Sequence, residues 1–284
     1  MDTINPMKTE DLPRYSEGKV ISKDGTTIGY RQKGRGPGVV ILHGGGRASQ
    51  HYLLLADELA NWFTVYIPDR RGRGLSGPVG EDYSIHKETD DLDALLQATG
   101  ACRVFGHSAG GFIALETAIE LPVEKLAVYE PPVSIRGSID FSFLPRMEKA
   151  LSDQDGAAAF VIFLKGLRLN WMTRLPFWLL YPMARQMLRD ADGQEMVRLL
   201  PTAIWEAREV ERLDSTEARY AAIRADTLLM SGSRSPAYLR DSLPILERII
   251  PHARWIEYPG YDHQAPDQKA PKVIAARLKE FYSN

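Results

Sequence analysis

The chain has 284 residues, 44% of them hydrophobic and 25% charged, with a formal net charge of -2; this is an ordinary globular balance without the basic footprint of a nucleic-acid binder. Its single cysteine, Cys102, excludes an intrachain disulfide and, lying in an apolar run, is expected to be a small buried hydrophobe. No apolar run is long enough to span a bilayer, and Met1-Asp2-Thr3-Ile4-Asn5-Pro6 lacks a signal core, so a cytoplasmic protein is expected.

Residues 1–17 are polar and are expected to be loosely held. Segments 19–22 and 26–32 flank Asp24-Gly25, a hairpin signal. Val39-Val40-Ile41-Leu42 is continuously apolar, which predicts a strand buried on both faces. A helix is expected over 49–60 and a strand over 63–67. Ser84 is placed to cap a helix carrying Leu92, Leu95 and Leu96 on one face. The run 101–105 predicts another strand, followed by a turn, a helix and a strand over 125–129. Pro131-Pro132 ends that strand.

Residues 131–225 carry no clear strand signal. They contain Phe160-Val161-Ile162-Phe163-Leu164, Trp171, Pro176-Phe177-Trp178-Leu179-Leu180-Tyr181 and Trp205, broken by Arg and Lys, and predict a mostly helical insertion. Its apolar positions suit a cap over a site, ordinary core, or the face of a homodimer. Its prolines interrupt the helical pattern, which counts against a membrane-surface helix. Alternation then resumes: a strand over 227–230, a helix face at Leu239, Leu243, Leu246 and Ile250, a strand over 255–258, and a last helix at Ile274, Leu278 and Phe281. Strands alternating with helices imply a mostly parallel sheet covered on both faces, with ligands bound beyond the C-terminal strand ends.

Three motifs fall at such ends. Gly106-His107-Ser108-Ala109-Gly110 puts a serine on a strand-to-helix turn, with glycines letting the backbone bend and a helix N-terminus facing a developing anion. His43-Gly44-Gly45-Gly46 follows the first core strand and can offer backbone N–H groups to an oxyanion. Gly260-Tyr261-Asp262-His263-Gln264-Ala265-Pro266 places a histidine after a late strand. His252 precedes that strand, at the wrong end of the sheet. His51 and His86 fall near helix starts, and His43 and His107 belong to the motif loops.

With the turn Asp69-Arg70-Arg71-Gly72-Arg73-Gly74-Leu75-Ser76, these motifs make the chain resemble the α/β-hydrolase superfamily. The resemblance implies an eight-stranded, mostly parallel α/β-hydrolase sheet, with a core over 1–130 and 226–284 and a helical cap over 131–225. It implies Ser108 as nucleophile, His263 as general base and then acid, and an oxyanion hole from the N–H groups of Gly45 and Ala109. The superfamily usually carries its acid after the strand corresponding to 227–230, but Ser231-Gly232-Ser233-Arg234-Ser235-Pro236 has no carboxylate. Two candidates remain. Glu130 ends the strand after the nucleophile helix, where some lactonases and dehalogenases carry theirs, and is preferred. Asp241, on the following helix, is the other. Asp262 is too close to His263 in the chain to meet its ring, and Asp69 is expected to brace its own turn.

The implied activity is a serine hydrolase acting on an ester, lactone or related acyl bond of a small, moderately apolar substrate. A serine in the turn argues against the dehalogenases and epoxide hydrolases of the superfamily, which carry aspartate there. Carbon–carbon bond hydrolysis, acyl transfer and cofactor-free perhydrolysis use similar sites, and a non-catalytic small-ligand binder on the same fold is the alternative from another class. No metal or cofactor is expected: there is no His/Cys cluster at ligand spacing and no dinucleotide fingerprint.

Overall fold

A computed structural model describes residues 15–80, 82–169 and 171–284. The expectation of loose structure at 1–14 lies outside them, and from Ser16 the chain is already strand. Eight strands form one sheet: β1 Ser16–Ile21, β2 Thr27–Lys33, β3 Gly38–Leu42, β4 Thr64–Pro68, β5 Arg103–His107, β6 Lys125–Tyr129, β7 Asp226–Gly232 and β8 Ala253–Tyr258. Their order is β1-β2-β4-β3-β5-β6-β7-β8. β2 pairs antiparallel with β1 and β4, and from β4 to β8 neighbouring strands run parallel. This is the α/β class read from the sequence.

The continuous apolar runs have a simple cause. In β3, Val40 and Leu42 join one core while Val39 and Ile41 join the other. In β6, Leu126 and Val128 alternate with Ala127 and Tyr129 in the same way. A strand with period 2 and helices on both faces needs apolar side chains at every position. α1 (Leu53–Leu59) and α10 (Pro271–Ser283) cover one face. α2 (Ile85–Thr99), α3 (Ala109–Glu120) and α9 (Leu243–Ile249) cover the other. Ser84 caps α2, its hydroxyl accepting the Lys87 N–H. The helix expected through 239–250 is split into α8 (Ala237–Arg240) and α9, with Ser242 at the N-cap of α9 and Pro244 in its first turn.

Between β6 and β7 every described element is helical: α4 Leu144–Ser152, α5 Gly156–Leu167, α6 Phe177–Met187 and α7 Ala191–Arg212, with short 3-10 turns. These helices share an apolar cluster of their own that includes Met147, Phe160, Leu180, Leu200 and Ile204. The prolines do not break them. Pro182 lies inside α6 and Pro201 inside α7, where neighbours in that cluster compensate for one lost hydrogen bond each. At both ends of the segment the packing reverts to the sheet: Val133, Ile135, Val210, Tyr220 and Ile223 all belong to the α2/α3 core. Cys102 differs from expectation. It is half-buried at the N-terminal end of β5, its thiol donating to Glu124 Oε2 at 2.9 Å. Among the described residues no helix is long and apolar enough to cross a membrane.

Candidate active site

Ser108 is the hinge between β5 and α3 and holds φ 53°, a left-handed conformation that side-chain-bearing residues rarely adopt. Its flanking glycines are steric necessities. A Cβ on Gly110 would strike the backbone oxygens of Leu42 and His43, and one on Gly106 would strike the backbone of Gly110 and Gly111. The start of α3 is thereby pressed against the end of β3, which places the serine beside the glycine loop.

His263 follows β8 and is buried. Its Nδ1 donates to Glu130 Oε2 at 2.6 Å. Glu130 is fully buried just past β6, itself at φ 49°, and its Oε1 accepts the Gly232 N–H at 2.7 Å. The structure thus brings Glu130 to the imidazole. Asp241 is exposed beyond α8, in no hydrogen bond with the ring. A proton on Nδ1 leaves Nε2 of a neutral ring as a lone pair. Ser108 and His263 share the wall of one cavity of about 750 Å³. Among the described residues no hydrogen bond joins the Ser108 hydroxyl to the ring.

Gly45 and Ala109 line the same cavity, and a Cβ on Gly45 would stand 3.9 Å from that of Ala109. Their N–H groups hold no hydrogen bond among the described residues, whereas the Gly44 N–H donates to Tyr52 Oη at 3.1 Å. Tyr52 belongs to a network that sequence reasoning missed. Its Oη lies 2.5 Å from His107 Nδ1, and His107 Nε2 lies 2.9 Å from the carbonyl oxygen of His263. A carbonyl only accepts, so Nε2 carries the proton, and burial holds this imidazole neutral, well below its ordinary pKa, helped by the neighbouring His263. Tyr52 must then donate to Nδ1. One chain of hydrogen bonds therefore ties the glycine loop, the serine turn and the His263 loop. His43 is also buried and neutral, its pKa lowered by burial and by the charges of Arg73 and Arg70; its Nε2 accepts the Arg70 N–H at 3.0 Å. Asp69 braces its turn as expected, accepting the N–H groups of Ser49 at 2.7 Å and Leu75 at 2.9 Å.

Two further features of the wall were not foreseen. Arg47 Nε meets Asp267 Oδ2 at 3.0 Å, and burial raises the Asp267 pKa. On another side lies a buried ion cluster. Arg70 Nη2 contacts Glu88 Oε1 at 2.6 Å and Glu206 Oε1 at 2.8 Å, and Arg73 Nη2 contacts Glu206 Oε1 at 2.5 Å. Burial opposes the Arg70 charge, but Glu206 and Glu88 outweigh it and raise its pKa. A sequence signal for Glu206 existed: it is a carboxylate within the apolar face of α7. Among the described residues no three His, Cys, Asp or Glu side chains are grouped to hold a metal ion.

Comparison with known proteins agrees with this architecture. Residues 39–277 match the model of the alpha/beta hydrolase family. An alpha/beta hydrolase from Sphaerobacter thermophilus is 31% identical with a TM-score of 0.78, over 93% of this chain and 100% of that one. The enol-lactonase of Burkholderia xenovorans is 20% identical at TM-score 0.67, over 94% and 100%, and shares the fold. The uncharacterized hydrolase YraK of Bacillus subtilis is 35% identical over 113 residues, 38% of this chain and 42% of that protein. The chain spans less than half the length of the curated relatives it matches.

Proposed function

This chain belongs to the alpha/beta hydrolase family, and from that premise we propose that it is a serine hydrolase, cleaving an ester, lactone or related acyl bond of a small, moderately apolar substrate. The observation that carries the reading is the 2.6 Å contact of His263 with the buried carboxylate of Glu130, on the cavity wall that also holds Ser108. Glu130 fixes the ring with Nε2 unprotonated. Nε2 takes the Ser108 proton as Oγ bonds to the substrate carbonyl carbon. The carbonyl electrons move to oxygen, which the Gly45 and Ala109 N–H groups receive. The alcohol departs with the proton from Nε2, leaving an acyl-serine. Water then gives a proton to Nε2 as its oxygen attacks the acyl carbon, and Nε2 returns that proton to Ser108 as the acid is released. The aromatic and aliphatic lining, with Phe141, Phe143, Phe160 and Phe163, supports an apolar substrate body.

A fluorophosphonate probe tests the nucleophile. Wild type is expected to label quickly and Ser108→Ala not at all, with hydrolysis of a short-chain ester falling by about 10⁴-fold or more. Wild-type turnover by folded Ser108→Ala rejects the reading.

A further inference from the structure

The wall of α7 that faces the cavity is apolar at Leu199, Leu200, Ala203, Ala207 and Val210, and Glu206 interrupts it. Glu206 is 9% exposed, and its Oε1 alone holds both Arg70 and Arg73. Oε2 accepts no hydrogen bond among the described residues. That oxygen keeps a little accessible surface, so it remains reachable. Its position is specific. A Cβ on Gly45 would lie 2.8 Å from it, so it stands over the loop whose N–H is proposed to receive the carbonyl oxygen. Glu209, the other α7 carboxylate on this wall, is fully engaged. Its Oε2 takes the Ile85 N–H at 3.0 Å and Arg212 Nη2 at 2.8 Å, and its Oε1 takes Arg212 Nε at 3.0 Å.

A nearly buried carboxylate oxygen aimed into an apolar cavity costs stability unless something donates to it. Two guanidinium groups hold Glu206 rigid, so the oxygen is pre-set. The cluster of Arg70, Arg73, Glu88 and Glu206 has as many cations as anions, which favours an uncharged donor over an ammonium group. We propose that Glu206 determines specificity by accepting a hydrogen bond from a hydroxyl on the carbon next to the scissile carbonyl. The substrate class is then a 2-hydroxyacyl ester or lactone with an otherwise apolar acyl group. This rests on the serine-hydrolase reading and narrows it.

The test compares methyl esters of hexanoic, 2-hydroxyhexanoic and 2-methoxyhexanoic acids. Wild type is expected to favour the hydroxy ester over the other two by on the order of tenfold in kcat/KM. In Glu206→Gln the amide oxygen stays on Arg70 and Arg73 and the NH2 group turns to the cavity. The hydroxy-to-methoxy ratio then falls to about unity, because the new donor serves an ether as well as a hydroxyl. Each ratio is internal to one sample, so loss of folded protein cancels. A merely structural Glu206 would lower all three rates together and keep the ratios. Equal rates for the three esters in wild type, or an unchanged ratio in Glu206→Gln, overturns the proposal, and the first needs no variant. No turnover of any ester by protein whose Ser108 labels with fluorophosphonate also overturns it. Failure of labelling removes the hydrolase reading and this inference with it.

Discussion

Ser108 and His263 stand out in the sequence as candidates because each sits in a short motif dictated by local backbone geometry. Glu130 needed knowledge of which strands are neighbours, since its partner ring lies 133 residues away. Tyr52 and Glu206 left weaker traces: their partners are 55 and 136 residues distant, and nothing local requires a tyrosine at position 52. Glu130→Gln keeps the volume but favours the other imidazole tautomer, so kcat for ester hydrolysis is expected to fall by about 10⁴-fold with folding intact. A drop below tenfold would assign the acid role to another carboxylate. His43 and His107 yield a stability prediction. Both are buried with pKa values held below the ordinary 6.5, so the unfolded chain binds protons that the native state refuses. Stability is therefore retained above about pH 6.5 and lost as pH falls below it, by up to about 1.4 kcal/mol per unit for each ring. Urea unfolding between pH 7.5 and 5 measures the slope, and a flat profile would show that the rings titrate freely.

Strands and most helices were legible as elements because two-sided burial forces apolar runs and one-sided burial forces stripes. The split of α8 from α9 and the continuity of α6 and α7 through proline were not, since tertiary packing decides whether a proline ends a helix. Two element contacts carry quantitative expectations. Gly110→Ala drives a methyl into the carbonyls of Leu42 and His43, parting α3 from β3. It should cost about 1–3 kcal/mol by thermal or urea denaturation and slow turnover as the Ala109 N–H shifts. The turn Arg70-Arg71 is clipped to α2 by Arg71, fully buried, whose Nη2 meets Asp91 Oδ1 at 2.6 Å. Asp91→Ala leaves that guanidinium with two long contacts to the Val79 and Lys87 carbonyls and with Asp24, a third of whose side chain is exposed, and should cost about 3 kcal/mol. A loss under 1 kcal/mol would mean that Asp24 suffices.

At the scale of the molecule, two cores on the sheet and a third within α4–α7 divide the chain by packing rather than by sequence order. Hydrogen exchange should follow that division. Amides of β3, β5, β6 and β7 are expected to open only with global unfolding, and those of α4–α7 through a smaller, cheaper opening. Uniform exchange across both groups would show a single cooperative unit. The sequence pointed to helices between β6 and β7, and helices stand there, but it did not show that the ends of this segment pack into the sheet, because that depends on contacts of Val133 and Tyr220 with distant residues. The position of Glu130 past β6 has a further consequence. Residues 233–238, after β7, carry no carboxylate, yet Pro236, Ala237 and Tyr238 border the cavity, and the Tyr238 hydroxyl reaches the Leu167 carbonyl at 2.7 Å. Grafting a different hexapeptide there should change which molecules are admitted while the chemistry stays intact, giving evolution a selectivity dial uncoupled from the engine.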